Sequence, residues 1–252
     1  MELPTYVALS RLTAQQRAMD VTATNLANAG TPGFKAGRML FSDWLSRQTG
    51  ADAPRGGKVV AYVQDRATYH DQQAGALQQT GNSLDMAIKG QGYFQVTLPS
   101  GETAYTRDGT FGLSPEGQIV TADGYPIAPG ITIPPNAQDV TINAGGEVQA
   151  KIAGTTAPQT VGALQLASFA NSAGLEAQGD NLLLASAASG NPVTGNPGAP
   201  GFGSVMQGFI ETSNVNVVTE ITNLITAQRA YEMNSRVITT SDQMQSTLTN
   251  LR

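Results

Sequence analysis

The chain contains no cysteine. Disulfides and thiolate-held metals are therefore excluded, and the redox compartment is left open. There is one histidine, His70, so a histidine-rich metal site is impossible and a Ser-His-Asp triad would have to use that residue. Charge is scarce as well. Asp, Glu, Lys and Arg make up 13% of the 252 residues, roughly half of the ~25% of an ordinary soluble protein. At a net charge of -5 no basic stripe exists to neutralise phosphates, which argues against nucleic acid and anionic membranes as partners. No segment approaches the ~18 consecutive apolar residues that span a bilayer, so direct membrane insertion is not expected. The opening MELPTYVALSRLTAQQ has neither the basic segment nor the apolar stretch of a cleaved leader, and none is expected.

Glycine is abundant, and uncharged Ser, Thr, Asn and Gln are frequent. That profile suits many turns, and polar surfaces that can be buried against other subunits without desolvating charge. From Thr5 to Asn28 there is no proline or glycine. Leu12, Met19 and Leu26 recur at heptad spacing there, with Leu9, Gln16 and Ala23 beside them, which predicts an amphipathic helix. A second, smaller stripe of Val7, Ala14, Ala18 and Val21 runs along its opposite side, more apolar surface than a lone surface helix needs. Gly30 ends the helix, and Thr31-Pro32-Gly33-Phe34 has proline and glycine where a type II turn wants them. A short helix is predicted from Gly37 to Gln48, followed by a Gly/Pro break at Ala53 to Gly57.

The other end mirrors this. Asn214 to Leu251 lacks glycine and proline and carries a stripe of Val217, Ile221, Leu224, Tyr231, Val237, Met244, Leu248 and Leu251. Such a helix would run about 55 Å at ~1.5 Å per residue, longer than a small domain needs. Between the ends, strand-like segments (Leu84 to Ile88, Tyr93 to Leu98, Thr103 to Thr106, Gln118 to Ala122, Val161 to Ser168) alternate with turn signatures such as Arg107-Asp108-Gly109 and Asn143-Ala144-Gly145-Gly146. Asn191 to Gly203 reads as a flexible return linker. The expected fold class is α+β: long N- and C-terminal helices pairing as a coiled coil, with an inserted antiparallel β domain. The expected segments are an N-terminal helical assembly segment at 1–48, an extended connector at 49–80, a β-rich domain at 81–203 and a C-terminal helical assembly segment at 204–252.

Chemistry-bearing candidates are few. His70 sits in DRATYHD, which reads as a charged, solvated connector. Gly90-Gln91-Gly92 precedes a strand and lacks the third glycine of a dinucleotide loop. Asp108 and Glu116 lie in turn signatures, where acidic residues are common. No catalytic, cofactor-binding or metal-binding residue is predicted, and the protein is not expected to be an enzyme. A rival reading, a secreted β-rich carbohydrate-binding module, would need an aromatic platform, yet the single tryptophan, Trp44, falls outside the β region.

Three stretches carry a resemblance. MDVTATNLANAGTPGFK, with Asn25, Leu26, Ala27, Asn28, Thr31, Gly33, Phe34 and Lys35 at its characteristic positions, resembles the signature of the bacterial flagellar rod proteins. TGNSLDMAIKGQGYFQVTLPSGETAYTRDGTFGLSPEGQIVTADGYPI follows that family's β-domain core, and ETSNVNVVTEITNLITAQRAYEMNS resembles its C-terminal signature. Within the family, the DRATYHD segment, the short spacer between Phe34 and Gly81 and the overall length look most like the proximal-rod members; from Gln79 onward the chain looks equally like the distal-rod members. The resemblance implies export by the flagellar type III apparatus without a cleaved signal, and helical polymerisation in the periplasm. Partners would be copies of itself, other rod subunits and the export apparatus. The terminal helices would form the inner tube wall and the β domain the outer layer. On this reading the assembly interface comprises Leu12, Met19, Asn25, Leu26, Asn28, Thr31, Gly33, Phe34, Ile221, Leu224, Tyr231, Val237, Met244 and Leu248. Asn25 and Asn28 would cap backbone groups across subunits or else end their own helix, and the sequence leaves both open.

Overall fold

The computed structural model describes residues 3–47, 59–155 and 157–250. The chain divides into two compact units. The first holds Met1–Ala29, Ala36–Asp71 and Val215–Arg252; the second holds Gly30–Lys35 and Gln72–Asn214.

In the first unit, α1 spans Leu3–Ala27. Pro4 falls in its first turn, where a missing N–H leaves no bond unmade. The helix ends as Asn28 bonds back to the Thr24 carbonyl through both its N–H (3.1 Å) and its Nδ2 (2.9 Å). Strands β1 (Gly37–Arg47) and β2 (Val59–His70) then pair antiparallel, with Gly37 opposite His70, Arg47 opposite Val59 and a bulge between Leu40 and Phe41. This corrects the short helix predicted from Gly37. The residues from Gly37 to Arg47 have no glycine or proline after the first position and suit a helix locally. A β2 rich in Val, Tyr and Thr supplies a complete hydrogen-bonding partner, and that pairing outweighs a weak local preference. The DRATYHD segment is likewise strand through His70. Gln48 and the break at Ala53 to Gly57 lie outside the described residues.

Helix α2 runs over Val217–Asn250. Its N-cap is Asn216, whose side-chain oxygen accepts the Thr219 N–H at 3.1 Å. Among the described residues no helix is long and apolar enough to cross a membrane. Helices α1 and α2 lie antiparallel, with Asn25 beside Glu220 and Gln15 beside Asn234.

The second unit is built of short antiparallel strands. Its largest sheet has the order Glu176–Gly179, Leu182–Leu184, Thr103–Thr106, Tyr93–Thr97, Leu166–Ser168, Val193–Gly195. A three-stranded sheet orders Gln159–Ala163, Glu147–Ile152 and Ala137–Ile142. The core between them gathers Met86, Phe94, Phe111, Ile119, Val148 and Leu166, with Phe94 and Phe111 edge-to-face at 5.1 Å.

Three expectations differ here. The single strand read at Val161 to Ser168 is two, in different sheets: Ala163 pairs with Glu147 and the Leu164 N–H still reaches the Gly146 carbonyl at 2.7 Å, whereas Leu166 pairs with Phe94 and Gly195. The linker at Asn191 to Gly203 contains the edge strand Val193–Gly195. Met86–Lys89 pairs with Ser204–Gln207, and Leu77–Gln79 with Phe209–Glu211. Residues read as connector (77–79) and as helical segment (204–211) are thus sheet ladders of this unit, and α2 begins only at Val217.

Candidate assembly site

Helix α2 has two faces. Glu220 is buried, and Leu224, Ala227, Ala230, Asn234 and Ile238 are half-buried along one side. On the other side Val218 is 75% exposed, Met233 62%, Val237 63% and Met244 61%, with Ile221 and Ile225 also exposed and Arg229 and Arg236 among them. At ~100° per residue Val218, Ile221, Ile225, Arg229, Met233 and Arg236 fall on an arc opposite the buried one, with Val237 and Met244 on its flank beside Ala230. The predicted interface residues therefore divide. Ile221, Tyr231, Val237 and Met244 lie open, whereas Leu224, Leu12, Met19 and Leu26 are half-buried. Leu248 is on α2, but its side chain lies outside the described residues. Thr31, Gly33 and Phe34 belong to the second unit.

Asn25 is 2% exposed and is bound inside its own chain. Its Oδ1 accepts the Gly37 N–H at 2.7 Å, and its Nδ2 donates to the Gly37 carbonyl at 3.0 Å and to Glu220 Oε2 at 3.4 Å. The side-chain amide thus acts as a strand backbone would and completes the first residue of β1. Glu220 also faces Arg38 at 3.5 Å, and Arg38 faces Asp71 at 3.7 Å. Asn28 serves its own helix end through Thr24.

In the second unit the segment 30–35 is held by a buried charge cluster. Gly33, at φ +69°, donates its N–H to the Glu211 carbonyl at 2.7 Å, and the Phe34 N–H returns to the Thr31 carbonyl at 3.3 Å. The Pro32 carbonyl accepts Asn181 Nδ2 at 2.7 Å. The Lys35 ammonium donates to the Glu211 carboxylate and to the Gln73 carbonyl. Arg107 Nη1 meets the same carboxylate at 3.2 Å, and the Gly75 N–H donates to it at 2.8 Å. Glu211 is 1% exposed, so this carboxylate is viable only because two cations and a backbone donor surround it. Arg107 Nε has no hydrogen-bond partner among the described residues; its guanidinium lies over the Tyr93 ring, 5.3 Å from the centroid. Burial pushes the Tyr93 hydroxyl above its ordinary range.

Sequence reasoning missed Glu211, Arg107 and the role of Glu220. Lys35 and Glu211 are 176 positions apart, and no local pattern joins them. The available signal was scarcity: in a chain with so few charges, each one inside a strand or at a helix start is a candidate for a buried partner.

Asp108 offers a pH test. Burial raises its carboxyl above the usual carboxylate range; bonds from Thr110 oppose this, and the charges of Asp123 and Asp85 add to it. The folded chain then holds this proton more tightly than the unfolded chain. Its stabilising contribution is present at acid pH and is lost as pH rises through the raised value. Asp108→Asn keeps an acceptor for the Thr110 N–H, now 2.9 Å from Oδ1. The variant should melt with the parent near pH ~3, below the ordinary aspartate value, and above it near pH ~7. Equal melting shifts at both pH values would refute this.

Among the described residues no group of three or more His, Asp or Glu is placed to hold a metal. Residues 6–35 match the family described as flagella basal body rod protein, residues 87–150 the flagellar hook protein FlgE/F/G D1 domain, and residues 206–251 the flagellar basal body rod FlgEFG protein C-terminal. The flagellar basal-body rod protein FlgG of Caulobacter vibrioides is 50% identical over 255 residues, covering 97% of each chain. FlgG of Buchnera aphidicola subsp. Schizaphis graminum is 45% identical over 98% of each chain. FlgF of Mesorhizobium japonicum is 34% identical over 90% of this chain and 88% of its own. With matches at both ends and in the β region, and relatives aligned along almost the whole length, this chain belongs to the flagellar basal-body rod protein family.

Proposed function

We propose that this protein is a structural subunit of the flagellar basal-body rod, of the distal FlgG kind, polymerising through its terminal helices with itself and with neighbouring rod and hook subunits. The exposed apolar face of α2 carries this reading. Val218, Ile225, Met233, Val237 and Met244 are left uncovered by the chain's own packing, and burying them between subunits would contribute at roughly 25 cal/mol per Å². In the assembled rod the two helices would continue as a coiled coil, exported by the type III apparatus without a cleaved signal and assembled in the periplasm. The expectation of a proximal subunit leaned on the DRATYHD segment, the spacer and the length. Spacer and length do not discriminate, since the FlgG relatives align over 97–98% of both chains. Identity favours the distal reading, 50% against 34%.

The subunit type is tested by complementation. The chain should restore motility to a strain lacking FlgG and not to one lacking FlgF; the reverse would return the proximal reading. The assembly face is tested by Val237→Ser combined with Met244→Ser. Both sites are exposed, so helix content and monomer stability should change by no more than about 0.5 kcal/mol. Rod assembly and motility should fall sharply at normal protein level. Unimpaired motility would mean that this face is not the seam.

A further inference from the structure

We propose that the buried pair Asn25 and Glu220, with the exposed Arg38 at its edge, is a register pin: it selects the one antiparallel alignment of α1 and α2 in which Glu220 finds its partners. The proposal concerns the fold of the first unit and stands whichever rod position the protein occupies.

The need for such a device is visible in the seam. The covered positions mix larger side chains (Leu12, Met19 and Leu26 on α1, Leu224 and Ile238 on α2) with many small ones: Ala14, Ala18 and Thr22 on α1, and Ala227 and Ala230 on α2. Small side chains interlock weakly, and apolar contact is non-directional, so neighbouring alignments of the helices would bury similar area. Register in a helix pair is then set by polar groups that have partners in one alignment only. Glu220 meets that description. It is 3% exposed and lies in the first turn of α2. It is reached by Asn25 Nδ2 at 3.4 Å and by Arg38 Nη1 at 3.5 Å. Asn25, the buried partner, is not free to follow a slip. Asn25 is tied to both backbone groups of Gly37, and Arg38 is the next residue of a strand whose register is set by β2. Sliding α2 by one turn moves Glu220 by about 5.4 Å. That takes the carboxylate out of hydrogen-bond reach of Asn25, whose amide stays tied to Gly37. A second polar contact, Asn234 Nδ2 to Gln15 Oε1 at 3.0 Å, marks the same alignment farther along the pair.

The absence of cysteine makes the test direct. In the full chain, Gln15→Cys with Asn234→Cys reports the observed register, and it removes the second polar contact so that the Glu220 cluster acts alone. Gln15→Cys with Ile238→Cys reports a one-turn slip, and Gln15→Cys with Ala227→Cys a slip of one heptad. Intramolecular disulfide yield is read as the fast-migrating monomer band under mild oxidation. With Glu220 intact, the first pair should out-yield either offset pair by about tenfold, the selectivity expected of a buried carboxylate with one set of partners. In the Asn25→Leu, Glu220→Leu background, helix content by circular dichroism should persist while the three yields come within about threefold. Glu220→Gln keeps an acceptor for Asn25 and loses the ion pair with Arg38, so its selectivity should be intermediate. If the leucine variant loses its helices, Glu220→Gln decides alone: a fall in selectivity supports the pin, and an unchanged ratio overturns it. Equal yields for all pairs with Glu220 intact, or undiminished selectivity in the leucine variant, also overturn it.

Discussion

Replacing Glu211 with alanine should destabilise the protein by about 3–5 kcal/mol, the range for removing one member of a buried ion network. The carboxylate faces Lys35 and Arg107 together and accepts the Gly75 N–H. Lys35 would keep the Gln73 carbonyl, and Arg107 the Gly90 carbonyl at 2.7 Å. Two cations would nonetheless share a dry site without an anion. Glu211→Gln keeps the shape and one acceptor oxygen and should lose roughly half as much, since the charge is removed and part of the bonding stays. Urea unfolding of the full chain measures both. A loss below about 1 kcal/mol for Glu211→Ala would mean that water reaches the cluster and solvates the cations. A double-mutant cycle with Lys35→Met should show coupling of about 1 kcal/mol or more, because the two groups share one site.

Gly33→Ala should be nearly as costly for an unrelated reason. At φ +69° an alanine carries a left-handed penalty of about 1 kcal/mol. Its Cβ would also sit 2.4 Å from both the Arg107 carbonyl carbon and the Asp108 nitrogen. Backbone cannot rotate aside as a side chain can, so overpacking of about 1–3 kcal/mol is added. Gly81→Ala separates the two causes. Gly81 has a similar φ of +78° with nothing within 4 Å of the added carbon. It should lose about 1 kcal/mol from conformation alone. Equal losses at the two positions would show that the contact with Arg107 and Asp108 relaxes without cost.

How far the sequence could be read follows the range of the forces involved. The long helices at the two ends were legible because their causes are local: uninterrupted runs without glycine or proline, and a breaker at Gly30. The turn at Thr31 to Phe34 was legible for the same reason, since only glycine suits its third position. The candidate site was read less well. Asn25 was singled out, but its partners were not, because Gly37 and Glu220 are joined to it by folding and not by spacing. Tyr231 and Val237 stand open while Leu224 in the same stripe is half-buried, a division that depends on where α1 crosses.

The sequence by itself determined the helical ends, the turn-rich middle and the membership of the rod family, since backbone conformation and motif spacing are properties of neighbours along the chain. Tertiary structure decided the rest. It made Gly37–Arg47 a strand by offering β2 as its partner, and it drew Leu77–Gln79 and Phe209–Glu211 into one ladder. It also brought Lys35, Arg107 and Glu211 into a single buried cluster. Each of these is a pairing between residues distant in the chain, whose energy exists only after the intervening loop has closed.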